Sequence, residues 1–283
     1  MDLPNPDIKM KNTYGVSLIV STYNWPEALN LCLLSIQKQV LLPDGVIIAD
    51  DGSGDETRLL IARFQKDFPV PLVHVWQTDE GFQLSKIRNK AIARASGAYI
   101  VQIDGDLILD RHFIQDHVAF KKKSSFVSGT RVLLSGDLTK MVLQTGQIEF
   151  PFFSRGLANR SNALRIPFLS QALASRYKQS DPGYVRGCNM AFWRADLIRV
   201  NGYNEEIVGW GREDSELAIR LINSGVAKRI YKFGAVVYHL HHQETKRAQL
   251  DINQSILELA ISNKTTRCEQ GLDKYMKANQ PYI

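Results

Sequence analysis

The sequence predicts an α/β fold in which a central, mostly parallel sheet is flanked by helices. Short apolar runs such as Val16–Val20 have the continuous hydrophobicity of strands that are buried on both faces. Longer segments with helical periodicity alternate with these runs, and the connections are short. With 283 residues, of which 44% are hydrophobic, the chain is long enough for one large domain of this kind.

Strands and helices alternate through the first 130 residues. Asn24 is a candidate cap for the first helix, and Pro26 suits its first turn. The predicted elements are strands at Val16–Val20, Val46–Ala49, Leu72–Trp76 and Tyr99–Ile103, and helices at Ala28–Lys38, Asp55–Phe68 and Leu84–Ala95. Ligands of such sheets bind at the carboxyl ends of the strands, so residues that follow the strands are the first candidates for a site.

The sequence after residue 130 is less regular. Ser135–Pro182 is rich in proline and glycine, and periodicity predicts a helix only at Leu169–Lys178. The later predictions are a strand at Asn189–Trp193, a helix at Glu213–Asn223, a strand at Ala235–Leu240 and helical, charged sequence after Glu244. These patterns divide the chain into a first half (1–130), a second half of the same domain (131–244) and a C-terminal helical extension (245–283).

Four phenylalanines in Ser135–Pro182 lie among Arg155, Arg160 and Arg165; they are Phe150, Phe152, Phe153 and Phe168. Such a segment can bind an acceptor, contact a membrane surface, or pack its aromatic rings inward as an ordinary insertion. The third interpretation is slightly favoured.

Charge, apolar runs and cysteines in the sequence indicate the cellular compartment and the binding partners. The net charge is +6, but it is spread along the chain, and no nucleic-acid-binding motif is present, so nucleic acid is the least favoured partner. No apolar run approaches the ~20 residues of a membrane helix, and residues 1–14 lack the apolar core of a secretory signal. Cys32, Cys188 and Cys268 suggest neither disulfides nor zinc. We expect a cytoplasmic protein, with peripheral contact to the inner face of a membrane left open.

Two acidic pairs follow predicted strands. Asp50 and Asp51 can accept a hydrogen bond from a base or bind a ribose hydroxyl, although an Asp-rich turn is an equally simple interpretation. Asp104 and Asp106 flank Gly105 at the exit of a buried strand. Their oxygens suit Mg²⁺ or Mn²⁺, which would neutralise charge on a leaving diphosphate.

Three histidines lie near the end of the last predicted strand. A neutral imidazole would suit a further ligand for Mn²⁺, but spacing does not choose among His239, His241 and His242.

Gly209–Asp214 is the densest constellation of functional residue types. Its two glycines around Trp210 predict a mobile loop with a stacking surface. Glu213 and Asp214 begin a helix, where the dipole stabilises negative charge and a carboxylate can act as a general base. Helix capping alone would explain the two acids but not the preceding Gly-Trp-Gly.

Taken in order, these motifs resemble family 2 glycosyltransferases with the GT-A fold. The resemblance covers roughly Val16 to His239. STYN (Ser21–Asn24), DDGS (Asp50–Ser53) and DGD (Asp104–Asp106) resemble the family's nucleotide-sugar-binding half, and GWGREDSEL (Gly209–Leu217) is similar to a galactosyltransferase-type module. Bacterial chondroitin polymerases and animal β-1,4-galactosyltransferases share that module. The ordered set is far more specific than any one motif.

The resemblance implies roles for individual residues. For the donor, it implies base contacts from Asp51 or Asp50 and from the backbone near Thr22 and Tyr23, a nucleotide-side Arg88–Asn89 pair, and Asp104 with Gly105 near the ribose. For the metal, it implies Asp106 and His239, the latter matching better than His241 or His242. For catalysis and the acceptor, it implies Asp214 as base, Glu213 as a sugar-binding residue, and Trp210, Gly211 and Arg212 as the acceptor loop.

The expected activity is therefore inverting, metal-dependent transfer of a sugar from a UDP-sugar to the hydroxyl of a glycan or lipid-linked acceptor, in bacterial surface polysaccharide or lipopolysaccharide synthesis. Arg212 stands where the animal enzymes often have glycine, and Ser135–Pro182 matches no family pattern, so the resemblance implies no particular acceptor. Two rival interpretations remain. A sugar-1-phosphate nucleotidyltransferase would favour a glycine-rich basic loop, which Ser21–Glu27 lacks. An inert nucleotide-sugar-binding protein would not need the acidic and histidine residues.

Overall fold

The structure, a computed structural model, describes residues 15–178, 181, 183–243 and 247–276. The elements of the first half are β1 (Val16–Thr22), α1 (Pro26–Gln37), β2 (Gly45–Asp50), α2 (Asp55–Gln65), β3 (Leu72–Trp76), α3 (Leu84–Arg94), β4 (Tyr99–Asp104), β5 (Leu107–Leu109), α4 (Phe113–Phe120) and β6 (Ser125–Gly129). Those of the remainder are β7 (Val132–Leu134), α5 (Gly136–Thr145), β8 (Leu157–Ala158), a 3₁₀ turn (Arg160–Ala163), α6 (Pro167–Leu173), β9 (Asn189–Trp193), α7 (Arg194–Val200), α8 (Glu213–Asn223), β10 (Ala227–Tyr231), β11 (Val237–His239), α9 (Leu250–Ser262) and α10 (Asp273–Met276).

The predicted α/β class is confirmed. Seven strands form the central sheet in the order β10-β6-β9-β4-β1-β2-β3. All neighbours pair in parallel except β9, which runs antiparallel to both β4 and β6. A second sheet, in the order β5-β11-β7-β8, lies beside it.

Side chains along the central strands point alternately to the two faces of the sheet, and they form a hydrophobic core on each face. In β1, Leu18 and Val20 pack in the cluster that contains α1, while Ile19 packs in the cluster that contains α3. Ser21 also faces α3, where its hydroxyl accepts a hydrogen bond from Arg88. A polar residue at the end of an apolar strand therefore marks where the core gives way to the site.

Several predicted elements are wrong in extent or place. The predicted strand Ala235–Leu240 is the short β11, which belongs to the second sheet. β10, at the edge of the central sheet, was not predicted, since its sequence AKRIY mixes charge with apolar residues. The predicted helices Asp55–Phe68 and Leu169–Lys178 end early, at Gln65 and Leu173.

Asn24 does not cap the first helix. The residue before α1 is Trp25, which makes no side-chain cap. The Asn24 side chain instead accepts a hydrogen bond from the backbone of Gly54, 2.9 Å away, and so joins the loops after β1 and β2.

The aromatic segment is only partly an inward-packed insertion. Phe150 is buried against Tyr238, with ring centroids 4.7 Å apart. Phe152, Phe153 and Phe168 are exposed, the last two about four-fifths so. The favoured interpretation is therefore wrong for three of the four rings.

The described part of the C-terminal extension, residues 247–276, packs against the domain. Helix α9 lies against α8, with Leu257 and Ala260 against Ile219. Asn201 binds the backbone of Cys268 and Leu272 further along the chain. No helix in the described ranges is long and apolar enough to cross a membrane.

A buried ion pair fixes helix α8, which carries Glu213 and Asp214. Arg220 is fully buried, and its guanidinium binds both oxygens of Glu216 at 2.7 Å. It also donates to the carbonyl oxygens of Val200, at the end of α7, and of Gly202, in the turn that follows. The orientation of α8 therefore depends on these polar contacts within an apolar core.

Replacing Arg220→Met should lower the free energy of unfolding by about 3–5 kcal/mol, because Glu216 would remain buried and unpaired. Urea denaturation measures the change. The double variant Arg220→Met/Glu216→Leu should recover part of the loss. A double variant no more stable than the single one would show that the two carbonyl contacts, and not the ion pair, stabilise the helix.

Candidate active site

The acidic residues meet because three strands end at the same level of the sheet. The register pairs Thr22 with Asp50 and Ser21 with Asp104. The loops after these strands therefore open on one edge, opposite the N-terminus of α8. Between them lies a cavity of about 820 Å³.

All the predicted site residues line this cavity except Asp50 and Asn89; those that do are Thr22, Tyr23, Asp51, Arg88, Asp104, Gly105, Asp106, Trp210, Gly211, Arg212, Glu213, Asp214 and His239.

Gly105 permits the close packing of the DGD turn. Its amide donates to the Ser21 carbonyl oxygen at 2.7 Å. A Cβ at this position would lie 3.0 Å from that oxygen and 3.3 Å from the Thr22 side chain. Glycine therefore lets Asp104 and Asp106 lie directly over the end of β1.

Asp50 and Asp51 have different surroundings. Asp50 is fully buried behind the cavity, and its oxygens bind the Ser53 amide and His74 Nε2 at 2.8 and 2.9 Å. Asp51 lines the cavity, where Gln77 and the backbone of Gln83 donate to it. Burial raises the pKa of Asp51 to about 6. Of the two alternatives for base contact, the geometry favours Asp51, with Asp50 shaping the turn.

Arg88 and Asn89 also separate. Asn89 is fully buried and binds the backbone of Tyr203 and the side chain of Glu205, so it holds α3 to the loop before α8. Arg88 reaches the cavity, with its Nη2 3.0 Å from Asp104 Oδ1 and its Nη1 3.0 Å from Asp214 Oδ1. These contacts favour a role for Arg88 in linking Asp104 to Asp214 over a direct contact between Arg88 and a phosphate.

Asp214 is held along one edge of its carboxylate. Oδ1 faces both Arg88 Nη1 and the Tyr203 hydroxyl, at 3.0 and 3.1 Å. Oδ2 lies against Gly187, where a Cβ would be only 1.6 Å away. The backbone of Gly187 therefore leaves room for this carboxylate, and one of its oxygens remains for a substrate.

Glu213 is the most perturbed carboxyl group of the site. Burial and the adjacent Asp214 raise its pKa to about 8. Its Oε2 is buried and has no hydrogen-bond partner in the described part of the chain, while Oε1 lies 3.8 Å from Arg88. A protonated Glu213 would have a hydrogen to donate to a sugar hydroxyl.

Asp106, His239 and His242 form a cluster suited to a divalent cation. Their ligand atoms all lie within 4.8 Å of one another. Nδ1 of each histidine faces a carbonyl oxygen, of Leu240 and of Gln243, so Nε2 of each ring is left to bind a metal. Asp106 Oδ1 is buried and has no hydrogen-bond partner in the described residues, as expected of a metal ligand.

The structure adds His242 to the predicted pair and leaves His241 out of the cluster. His241 lines the cavity but donates its backbone amide to Thr139. The hydrogen bond to Asp106 raises the pKa of His242 to about 9. A bound cation would displace this proton. Spacing alone could not choose among the three rings, because the choice depends on how the chain turns after β11.

The Gly-Trp-Gly loop is restrained by the C-terminal extension. Asn253 of α9, itself buried, donates to the carbonyl oxygens of Val208 and Gly211 at 3.1 and 3.0 Å. Trp210 is 38% exposed, and the Arg247 guanidinium lies 4.9 Å from its ring centroid. Contacts from the C-terminal extension thus hold in place the loop that the resemblance assigns to the acceptor.

Sequence reasoning missed Tyr203 and Gln102. Tyr203 precedes Asp214 by 11 residues in a loop without a motif, and Gln102 is a polar residue inside an apolar strand. The second of these was a usable signal, because a buried glutamine needs hydrogen-bond partners.

Comparisons with known proteins identify the family of this chain. Residues 17–195 match the model of "Glycosyl transferase family 2", and residues 168–243 match that of "N-terminal domain of galactosyltransferase". The chain belongs to glycosyl transferase family 2. It is 26% identical over 253 residues to chondroitin synthase of Escherichia coli, an alignment that covers 83% of this chain. The match spans only 36% of that protein's length.

Solved structures show the same GT-A fold. The S. aureus protein TarS (residues 1–349, in complex with UDP) superposes with a TM-score of 0.62 at 17% identity, covering 92% of this chain and 68% of TarS. The mannosyltransferase PcManGT from Pyrobaculum calidifontis, in complex with GDP-Man and Mn²⁺, has a TM-score of 0.59 at 21% identity, covering 92% of this chain and 67% of that one.

Replacing Glu213→Gln should change the pH dependence of stability. Between pH 4.5, the ordinary pKa of a glutamate, and about pH 8, Glu213 loses its proton in the unfolded chain but keeps it in the folded protein. The wild-type free energy of unfolding should therefore fall relative to that of the variant as pH rises, by up to about 1.4 kcal/mol per pH unit. Urea denaturation across this range measures the difference, with the exposed Glu56→Gln as control. Parallel profiles for wild type and Glu213→Gln would contradict the raised pKa.

Proposed function

We propose that this glycosyltransferase transfers a sugar from a UDP-sugar to an acceptor hydroxyl, with inversion at the anomeric carbon. The observation that carries the proposal is the position of Asp214. It lines the same cavity as Asp51 and the DGD turn, and Trp210 of the loop before α8 lines this cavity too. A base so placed can act on an acceptor while the donor occupies the strand ends.

Asp214 is the proposed general base. Its Oδ1 is engaged by Arg88 and Tyr203, so Oδ2 is the atom that accepts the acceptor's proton as the new bond forms. Attack from the side opposite the leaving group inverts the anomeric centre, and the transition state resembles an oxocarbenium ion. Glu213, next to the base, would bind a sugar hydroxyl.

The donor would lie along the strand ends. Asp51, with the backbone near Thr22 and Tyr23, would contact the nucleobase of the donor. Asp104 would contact its ribose. Mn²⁺ or Mg²⁺ held by Asp106, His239 and His242 would offset the charge of the leaving diphosphate. The structures of TarS with UDP and with UDP-GlcNAc support a uridine donor, whereas the PcManGT complex contains GDP-Man, so the nucleotide must be tested.

The acceptor is proposed to be a glycan or a lipid-linked sugar that contacts Trp210, Gly211 and Arg212. Relatives such as the Escherichia coli chondroitin synthase and the Pasteurella multocida hyaluronan synthase support a role in polysaccharide synthesis. Cytoplasmic location, with peripheral contact at the membrane, remains part of the proposal. A screen of UDP-, GDP- and dTDP-sugars with Mn²⁺, followed by NMR of the product, tests donor and stereochemistry together; retention of the anomeric configuration would refute inversion.

Replacing Asp214→Asn should leave UDP binding intact and lower the transfer rate by about 10²–10⁴-fold, the usual contribution of a general base. Calorimetry with UDP and Mn²⁺ measures binding, and turnover with the donor chosen by the screen measures the rate. Near-normal turnover would remove Asp214 from this role.

Replacing Asp106→Ala should abolish the Mn²⁺ dependence of UDP binding, and His242→Ala should weaken Mn²⁺ binding by at least about tenfold. His241→Ala is the matched control, since His241 lies outside the cluster. Calorimetry with UDP, with and without Mn²⁺, measures the dependence, and titration of each histidine variant with Mn²⁺ measures the Mn²⁺ affinity. Equal losses in the two histidine variants would argue against His242 as a ligand.

A further inference from the structure

Tyr203 lies behind the proposed base in a position that no sequence motif marks. It is fully buried, and its hydroxyl oxygen is 3.1 Å from Asp214 Oδ1 and 3.0 Å from Gln102 Oε1. The Arg88 guanidinium lies 5.2 Å from the centre of its ring. The tyrosine therefore touches both the base and the arginine that orients it.

The hydroxyl has one hydrogen but two acceptors. Gln102 Nε2 donates to the Gly187 carbonyl oxygen at 3.3 Å, so the oxygen of the Gln102 amide must face Tyr203. A charged carboxylate attracts a hydroxyl hydrogen more strongly than an amide oxygen does. The hydrogen accordingly points to Asp214 while that group is ionised, and it can turn to Gln102 once Asp214 is protonated.

We propose that Tyr203 is a positioning residue for the base, whose hydroxyl hydrogen follows the charge of Asp214 between two acceptors. In the charged state the bond to Oδ1 stabilises the carboxylate and directs Oδ2 to the acceptor. After Oδ2 takes the acceptor's proton, the hydroxyl turns to Gln102, and Asp214 becomes neutral without leaving a buried hydroxyl unpaired. This inference rests on the proposed role of Asp214.

The groups around Asp214 support this assignment. Arg88 from α3 contacts Asp214 directly, and Asp104 at the end of β4 and Glu213 from α8 interact electrostatically with it. Burial and Asp214 together raise the pKa of Tyr203 well above its ordinary value, so the phenol serves as a donor and does not ionise. A substitution of Tyr203 or Gln102 removes no charge from this set.

The test is the pKa of the Asp214 carboxyl, measured by NMR on metal-free protein labelled with ¹³C-aspartate and assigned through the signal that Asp214→Asn removes. Tyr203→Phe should raise this pKa by about one to two pH units, the shift that corresponds to the free energy of one hydrogen bond to a charged group. Gln102→Leu should lower it, because the hydroxyl would lose its alternative acceptor.

Tyr99→Phe is the matched control, since it removes a buried hydroxyl that has no partner in the described residues. Its effect on the Asp214 pKa should be nil, and circular dichroism confirms that each variant is folded. An unchanged Asp214 pKa in Tyr203→Phe, or shifts of the same sign in Tyr203→Phe and Gln102→Leu, would overturn the inference and leave the proposed function intact. Near-normal transfer by Asp214→Asn would instead overturn the proposed function.

Discussion

The site depends on one buried guanidinium. Arg88 is 1% exposed, yet three carboxyl groups, those of Asp104, Glu213 and Asp214, lie within 4 Å of it. Acidic groups gathered at a strand edge and at a helix N-terminus would repel one another, and burial would drive them to protonate. A single fixed cation offsets that cost and joins the carboxyl group at the end of β4 to those at the start of α8.

The two adjacent carboxyl groups of α8 have different surroundings. Burial and the neighbouring Asp214 raise the pKa of Glu213 to about 8, and its Oε1 lies 3.8 Å from Arg88. Asp214 makes the direct contact with Arg88, at 3.0 Å. Substitution of Arg88 would therefore disturb both Asp214, the proposed base, and Glu213, and its effect could not be assigned to either residue alone.

Much of the fold was predictable because its signals are local. The strands around Asp50 and Asp104 are short apolar runs, and their parallel register makes the acidic ends converge. The parts that failed depend on contacts between distant residues. β10 has a mixed sequence that becomes a strand only beside β6, and the three exposed phenylalanines obey no periodicity. Asp50 and Asp51 are equivalent in sequence, and contacts with distant residues, such as that of Asp50 with His74 on β3, show which one faces away from the cavity. Tyr203 and His242 likewise acquire their neighbours through loop geometry.

Gly187 limits how this active site can evolve. Any side chain there would collide with Asp214 Oδ2, so variation at this position would displace the proposed base. The wall behind the carboxylate is consequently closed to adaptation. New acceptor preferences would have to arise from other side chains that line the cavity, such as Arg186 and Arg212.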